Sequence, residues 1–184
     1  IKESGTYVLQ ENVMYKGHHS AIKVKANNVT VDLNGFSITI SKRRANGILA
    51  KNISNITLQN GSIIDDSKQQ WAADIDLMNV NQASIQNIST IGNRNGLSIA
   101  QSNNVQVQNS NFSQAKQSAV LFDQSTNITF DNDMFADSNN GLMASGANEN
   151  LIITNSNFPT AMFSNLLVQQ VDGMMIENST FGNQ

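Results

Sequence analysis

Six short stretches of this chain alternate apolar and polar residues, and each closes on an asparagine. They are Ile56-x-Leu58-x-Asn60, Ala83-x-Ile85-x-Asn87, Val105-x-Val107-x-Asn109, Ile128-x-Phe130-x-Asn132, Leu151-x-Ile153-x-Asn155 and Met174-x-Ile176-x-Asn178. The closing residues lie 27, 22, 23, 23 and 23 positions apart. Three positions after the last four comes a Phe (Phe112, Phe135, Phe158, Phe181), and Ile63 holds that place in an earlier copy. The first copy, Val29 to Phe36, places either Leu33 or Asn34 in the Asn column; aligning Phe36 with the Phe column favours Leu33. A second apolar column runs upstream: Ile22/Val24, Ile48/Ala50, Ile75/Leu77, Leu97/Ile99, Val120/Phe122, Leu142/Ala144 and Leu166/Val168. Alternation of this kind marks strands with one buried face. A fixed period of this length marks a solenoid.

Each period therefore predicts one strand, a turn, a second strand ending in Asn, a short third strand carrying Phe or Ile, and a loop. The expected fold is all-β: a single-stranded right-handed parallel β-helix of about seven coils of 22–27 residues, with an Asn ladder and a Phe/Ile column. Seven coils at about 4.8 Å each give a rod roughly 34 Å long. Residues 1–20 fall outside the period and are read as a strand and turn leading into the first coil, with 21–184 as the helix. Asn tolerates the left-handed conformation that sharp corners need. An inward Asn could also bond the Asn of the next coil, and inward placement is the expectation here. A leucine-rich repeat would need a recurring Leu pattern that is missing. An ice-binding array would need Thr throughout a column in which Thr30, Thr57 and Thr129 alternate with Ser84, Gln106, Ile152 and Met175.

The period, with the opening segment Asn27-Asn-Val-Thr-Val-Asp-Leu-Asn-Gly-Phe-Ser-Ile, resembles the pectate-lyase-like superfamily of carbohydrate-binding and sugar-hydrolase repeat proteins. The resemblance covers about residues 20–182. It implies a polysaccharide ligand in the groove beside the first sheet, and an extracellular or cell-surface setting. Function does not follow from such a fold alone.

Composition narrows the classes. The chain has 184 residues, 28 of them Asn, 20 Ser and 15 Gln, with 14% charged and no Cys. Disulfide scaffolds and thiolate metal sites are thereby excluded. No apolar run is long enough for a membrane span. A net charge of −3 gives no reason to expect nucleic acid. Residues 1–92 carry nine basic and seven acidic side chains, whereas 93–184 carry two and seven. Eight N-x-S/T sequons, several on ladder Asn, read as a by-product of the repeat and point to a bacterial or viral origin. The start at Ile1, without a basic and apolar leader, leads us to expect a removed leader or domain. The uncapped last coil leads us to expect a flanking segment or an oligomer that covers it.

Loops on a rigid scaffold carry function. The two longest, 12 residues from Phe36 to Ile48 and from Ile63 to Ile75, hold Arg43, Arg44, Asp65, Asp66 and Trp71, the one Trp of the chain. With Lys51 these are the expected glycan contacts, since an indole stacks on a sugar ring and charged groups bond its hydroxyls. Asp74, Asp76 and Asp123, with Arg94, are the candidates for catalysis, because glycoside hydrolysis needs paired carboxylates. Alternation puts Asp74 and Asp76 on one outward face. No metal site is expected; a Ca²⁺ site would follow only from a lyase-like mechanism, which would gather those acids with Arg94. Polygalacturonase-type motifs are absent. Leu49, Leu121, Met143 and Leu167 form an outward apolar column suited to self-association or a covering domain. Three functions are therefore open: a polysaccharide-binding module, a structural or interaction module of adhesin or tail-spike type, and, least supported, a polysaccharide lyase or glycoside hydrolase.

Overall fold

The computed structural model describes residues 1–42, 44–67 and 72–182. Among these there is no helix, and the strands wind into a right-handed parallel solenoid of about seven turns. Every pairing is parallel, between a residue and its counterpart one coil on. Ile22, Ile48, Ile75, Leu97, Val120, Leu142 and Leu166 form one continuous register. The second-strand register runs Val29, Ile56, Ala83, Val105, Ile128, Leu151, Met174. The third runs Ile38, Ile63, Thr90, Phe112, Phe135, Phe158, Phe181. Ile38, not Phe36, holds the first place in this column. The first coil turns at Asn34 (φ 52) and carries two residues more than the next between its second and third strands.

Residues 1–20 contribute two strands rather than one. Gly5–Val8 pairs with Val29–Asp32, and Val13–Tyr15 pairs with Ile38–Ile40. They extend the stack backwards without the Asn that marks the later corners.

The core lies inside the tube. Its aromatic column stacks Phe135 on Phe158 at 4.5 Å and on Phe112 at 6.0 Å, with Phe130 edge-on at 5.4 Å. Such pairs add to the burial of their area.

The Asn surplus is backbone chemistry. Of the 22 described non-Gly residues with positive φ, 15 are Asn and five are Gln. Asn60, Asn87, Asn109, Asn132, Asn155 and Asn178 all turn the corner between second and third strands. The ladder does form: Asn87 Nδ2 donates to Asn60 Oδ1 (3.2 Å), and Asn132 Nδ2 to Asn109 Oδ1 (2.7 Å). It runs outside the tube, however, with Asn87, Asn109 and Asn132 exposed. A left-handed residue flips the alternation, so the residue after it faces inward. There Ser110, Asp133 and Ser156 are buried. Each serine accepts a backbone N–H from the preceding coil (Ile88 to Ser110 Oγ, 3.2 Å; Asp133 to Ser156 Oγ, 3.2 Å). Each also donates to the carbonyl two residues back. Buried backbone groups at the corners are thereby satisfied.

A second outer ladder precedes the second strands. Asn55, Asn127 and Asn150 each donate to the matching Asn of the coil before, at 2.9, 3.1 and 2.9 Å. Asn132→Ala should cost about 1–2 kcal/mol, since Ala resists positive φ, and Asn132→Gly less. Urea titration of the two variants checks the order.

Candidate functional site

The first sheet presents an outward column of Lys23, Leu49, Asp76, Ser98, Leu121, Met143 and Leu167. Two positions on, Lys51, Met78, Ala100, Asp123 and Ser145 form a second. Asp76 is half-buried between Leu49 and Ser98. Asn46 Nδ2 donates to its Oδ2 at 3.3 Å, and Asn46 Oδ1 in turn accepts Ala73 N–H at 3.2 Å, which fixes the amide. Burial pushes the Asp76 carboxyl up. The hydrogen bonds from Ser98 and Asn46 and the charge of Lys51 pull it back down.

Asp74 does not share that face. It belongs to an adjacent register with Gly47, Gly96, Ala119, Gly141 and Asn165, all buried. At this register the strand turns in from the corner, and side chains point across the tube at the third strand. A Cβ on Gly96 would lie 2.5 Å from Thr90 Oγ1. Asp74, fully buried, is thus an internal carboxyl. Burial pushes it well up, Asn93 Nδ2 (3.3 Å) partly offsets this, and Asp65 adds repulsion. Asp65 is also internal, at the end of its strand, and its Oδ1 accepts Ser67 N–H at 2.6 Å. Asp74, in a register otherwise mostly of Gly and Ala, and Thr90, the polar member of the aliphatic and aromatic column, fall in one coil. Among the described residues Asp74 Oδ2 and Thr90 Oγ1 are both buried without a hydrogen-bond partner.

The other expected residues scatter. Asp66 is exposed beside the inward Asp65, as alternation demands. Arg94 is exposed, and its Nε donates to Gln117 Oε1 at 2.5 Å. Asp123 accepts from Ser145 Oγ at 3.3 Å, two coils beyond Asp76, about 10 Å along the axis. Lys51 and Arg44 are exposed, Arg44 with φ 64. Arg43 and Trp71 lie outside the described residues. Asp74, which is internal, Asp76, which faces out, and Arg94, which bonds Gln117, therefore do not gather as a lyase-type Ca²⁺ centre would require. Among the described residues no three His, Cys, Asp or Glu side chains group as metal ligands.

The apolar column is not an open stripe. Leu49, Leu121, Met143 and Leu167 are each half-buried, packed along the sheet by the coil spacing. Among the described residues most of the large exposed apolar side chains sit near the ends of the rod instead, among them Tyr7, Val8, Met162, Phe163 and Met174, with Met134 in an inner coil the exception. Among the described residues no helix is long and apolar enough to cross a membrane. Asn46, Ser98 and Asn93, which hold the acids, escape sequence reading. Their partners are set by the coil lengths, and no local motif marks them.

A tube of stacked parallel coils with an Asn-turned corner defines the right-handed β-helix class. The chain belongs to that family: the model described as "Right handed beta helix region" matches residues 1–158. Among solved structures it is similar to full-length tailspike protein 2 of an Escherichia coli O157:H7 bacteriophage, with 10% identity and a TM-score of 0.48. The match covers 96% of this chain but 33% of the tailspike, so the chain spans about a third of that protein's length. It is also similar to the A-module of a mannuronan C-5 epimerase from Azotobacter vinelandii, with 8% identity, 97% of this chain, 81% of that one and a TM-score of 0.38. No curated protein matches the chain.

Proposed function

We propose that this chain is a polysaccharide-binding module whose ligand lies along the outward face of the first sheet. The observation that carries the reading is Asp76, a carboxylate half-buried on an outward strand position, held by Asn46 and Ser98 and neighboured by Lys51 and Met78. A charged acceptor and a cation beside the apolar side chains of Leu49 and Met78 suit a sugar ring. Its C–H face rests on the latter while its hydroxyls bond the former. Trp71, which precedes this strand in the sequence by two positions, is the aromatic candidate for the same ligand. Binding is favoured over cleavage because Asp76 and Asp123, the outward acids of this face, stand two coils and two strand positions apart, well beyond the carboxyl spacing of about 5 Å in a retaining glycosidase.

The test is a glycan array with wild type, Asp76→Ala, Lys51→Ala and Trp71→Ala. Each variant should weaken binding about tenfold, the scale of one hydrogen bond to a charged group. Binding of wild type to no acidic or neutral glycan would refute the reading, as would variants that all bind like wild type. Incubation with the bound glycan should release neither reducing ends nor unsaturated products.

A further inference from the structure

Around the corner from this face, where first strands give way to second strands, the coils leave a groove of about 490 Å³. Asn27, Asn52, Asn79, Asn81, Gln101 and Asn103 line it, over a floor that includes Ile53 and Val80. The next residues of the same coils, among them Asn55, Gln82, Asn104 and Gln106, line a second groove of about 390 Å³. No lining residue of either groove is charged and none is aromatic.

The ladders hold these amides in place. Asn79 Nδ2 donates to Asn52 Oδ1 at 3.0 Å, and Asn55 Nδ2 to Asn28 Oδ1 at 2.9 Å. Asn27 Oδ1 accepts Ser54 N–H at 2.7 Å, and Asn81 Oδ1 accepts from Asn104 Nδ2 at 3.5 Å. A primary amide has two N–H donors and two acceptor lone pairs, so one ladder bond leaves both kinds free. Among the described residues neither Asn27 Nδ2 nor Asn81 Nδ2 donates to protein, and both residues are exposed. The groove therefore offers fixed, uncharged donors and acceptors repeated at about 4.8 Å along the rod. Because the amides are already ordered, a ligand does not bear the entropy of ordering them.

We infer that this groove is a second subsite, one that takes a neutral, hydroxyl-rich glycan chain lying along the rod axis. Hydroxyls are donors and acceptors at once, as the amides are, and they carry no charge that would need a cation. The coil repeat is comparable to the length of one pyranose ring, so successive rings meet successive amides. Acidic polymers find no counter-charge here; Lys51 on the first sheet is where they would bind. The inference rests on the polysaccharide reading above and adds a ligand class and a second surface to it.

Affinity electrophoresis separates the two. Gels would contain dextran, galactomannan or xylan as neutral chains, or polygalacturonate as an acidic one. The proteins would be wild type, Asn81→Ala, Asn81→Arg and Lys51→Ala. Asn81 has no positive φ and is exposed, so its variants should fold, with circular dichroism as the check. Retardation by at least one neutral glycan is expected. It should fall about threefold in Asn81→Ala and about tenfold in Asn81→Arg, while Lys51→Ala, which touches only the first-sheet site, should lower it less than Asn81→Arg does. Neutral-glycan retardation that survives Asn81→Arg but falls in Lys51→Ala overturns the groove and leaves the first-sheet reading standing. Retardation by polygalacturonate alone does the same. Retardation of wild type by no glycan overturns both.

Discussion

Phe135→Ala should cost about 3–5 kcal/mol, the largest loss expected from any single truncation in this chain. Phe135 is fully buried and touches three rings: Phe112, Phe130 and Phe158. Its removal leaves a cavity that the neighbours cannot close, since each is pinned by a parallel register one coil above and below. In a solenoid each coil is held mainly by its neighbours, so a void in the middle weakens two interfaces at once. Phe181 provides the comparison. It stacks on Phe158 at 4.7 Å but is 44% exposed on the last coil. Phe181→Ala should therefore cost about 1 kcal/mol. Urea denaturation followed by circular dichroism reads both. Equal losses at the two sites would mean that the aromatic column does not carry the stability of the tube.

That column shows where sequence reading succeeds. Phe112, Phe135, Phe158 and Phe181 repeat every 23 residues because one ring per coil must stack at one place, so the spacing and the contact are the same fact. The fold was legible for that reason. Thr90 and Ile38 belong to the same column but do not show it in sequence, one because it is polar and the other because two additional residues precede it in its coil. The direction of the Asn ladder was hidden by the backbone. A left-handed residue reverses the alternation, and the buried place passes to Ser110, Asp133 or Ser156.

The site follows the same logic. Asp76 and Lys51 could be placed outward by counting from Leu77 and Ala50. Asp74 could not, because the count crosses a bend at which two successive residues, Asp74 and Ile75, are both buried. Asn46 meets Asp76 across a coil step of unequal length, 30 positions away in the chain. The amide grooves are made of residues that look like corner-formers alone. What makes them a surface is their stacking.

Asp133 supplies the second large effect, and its sign is unusual for an aspartate. It occupies an inner corner place that serine fills at 110 and 156, and it is 3% exposed. Its oxygens accept Ser110 N–H at 2.7 Å and Asp131 N–H at 3.1 Å. These bonds favour the charged form, but burial outweighs them and Asp131 adds repulsion, so the carboxyl is pushed up to about 7. A group whose folded pKa lies above its unfolded value of 3.8 stabilises the fold fully below the latter, and this stability is lost as pH rises through the former. The loss runs from about pH 4 to about pH 7 and amounts to roughly 4 kcal/mol at most. Asp74, Asp65 and Asp76 are shifted in the same direction, each first of all by burial, and act with the same sign. Asp32 and Asp131 are shifted down by hydrogen bonds, from Gln59 and Asn155 first, and act oppositely. Both are half-buried on the outer surface, within reach of solvent, where such bonds contribute less. The chain should therefore be more stable at pH 4.5 than at pH 8, the reverse of an ordinary acid-sensitive domain. Asp133→Ser restores the hydroxyl of its neighbours. It should raise the urea midpoint at pH 8 and flatten the dependence between pH 4.5 and 8. A wild-type midpoint that rises with pH, or a serine variant with the slope unchanged, would show that Asp133 is ionised in the fold and that the two backbone donors, rather than burial, set its charge.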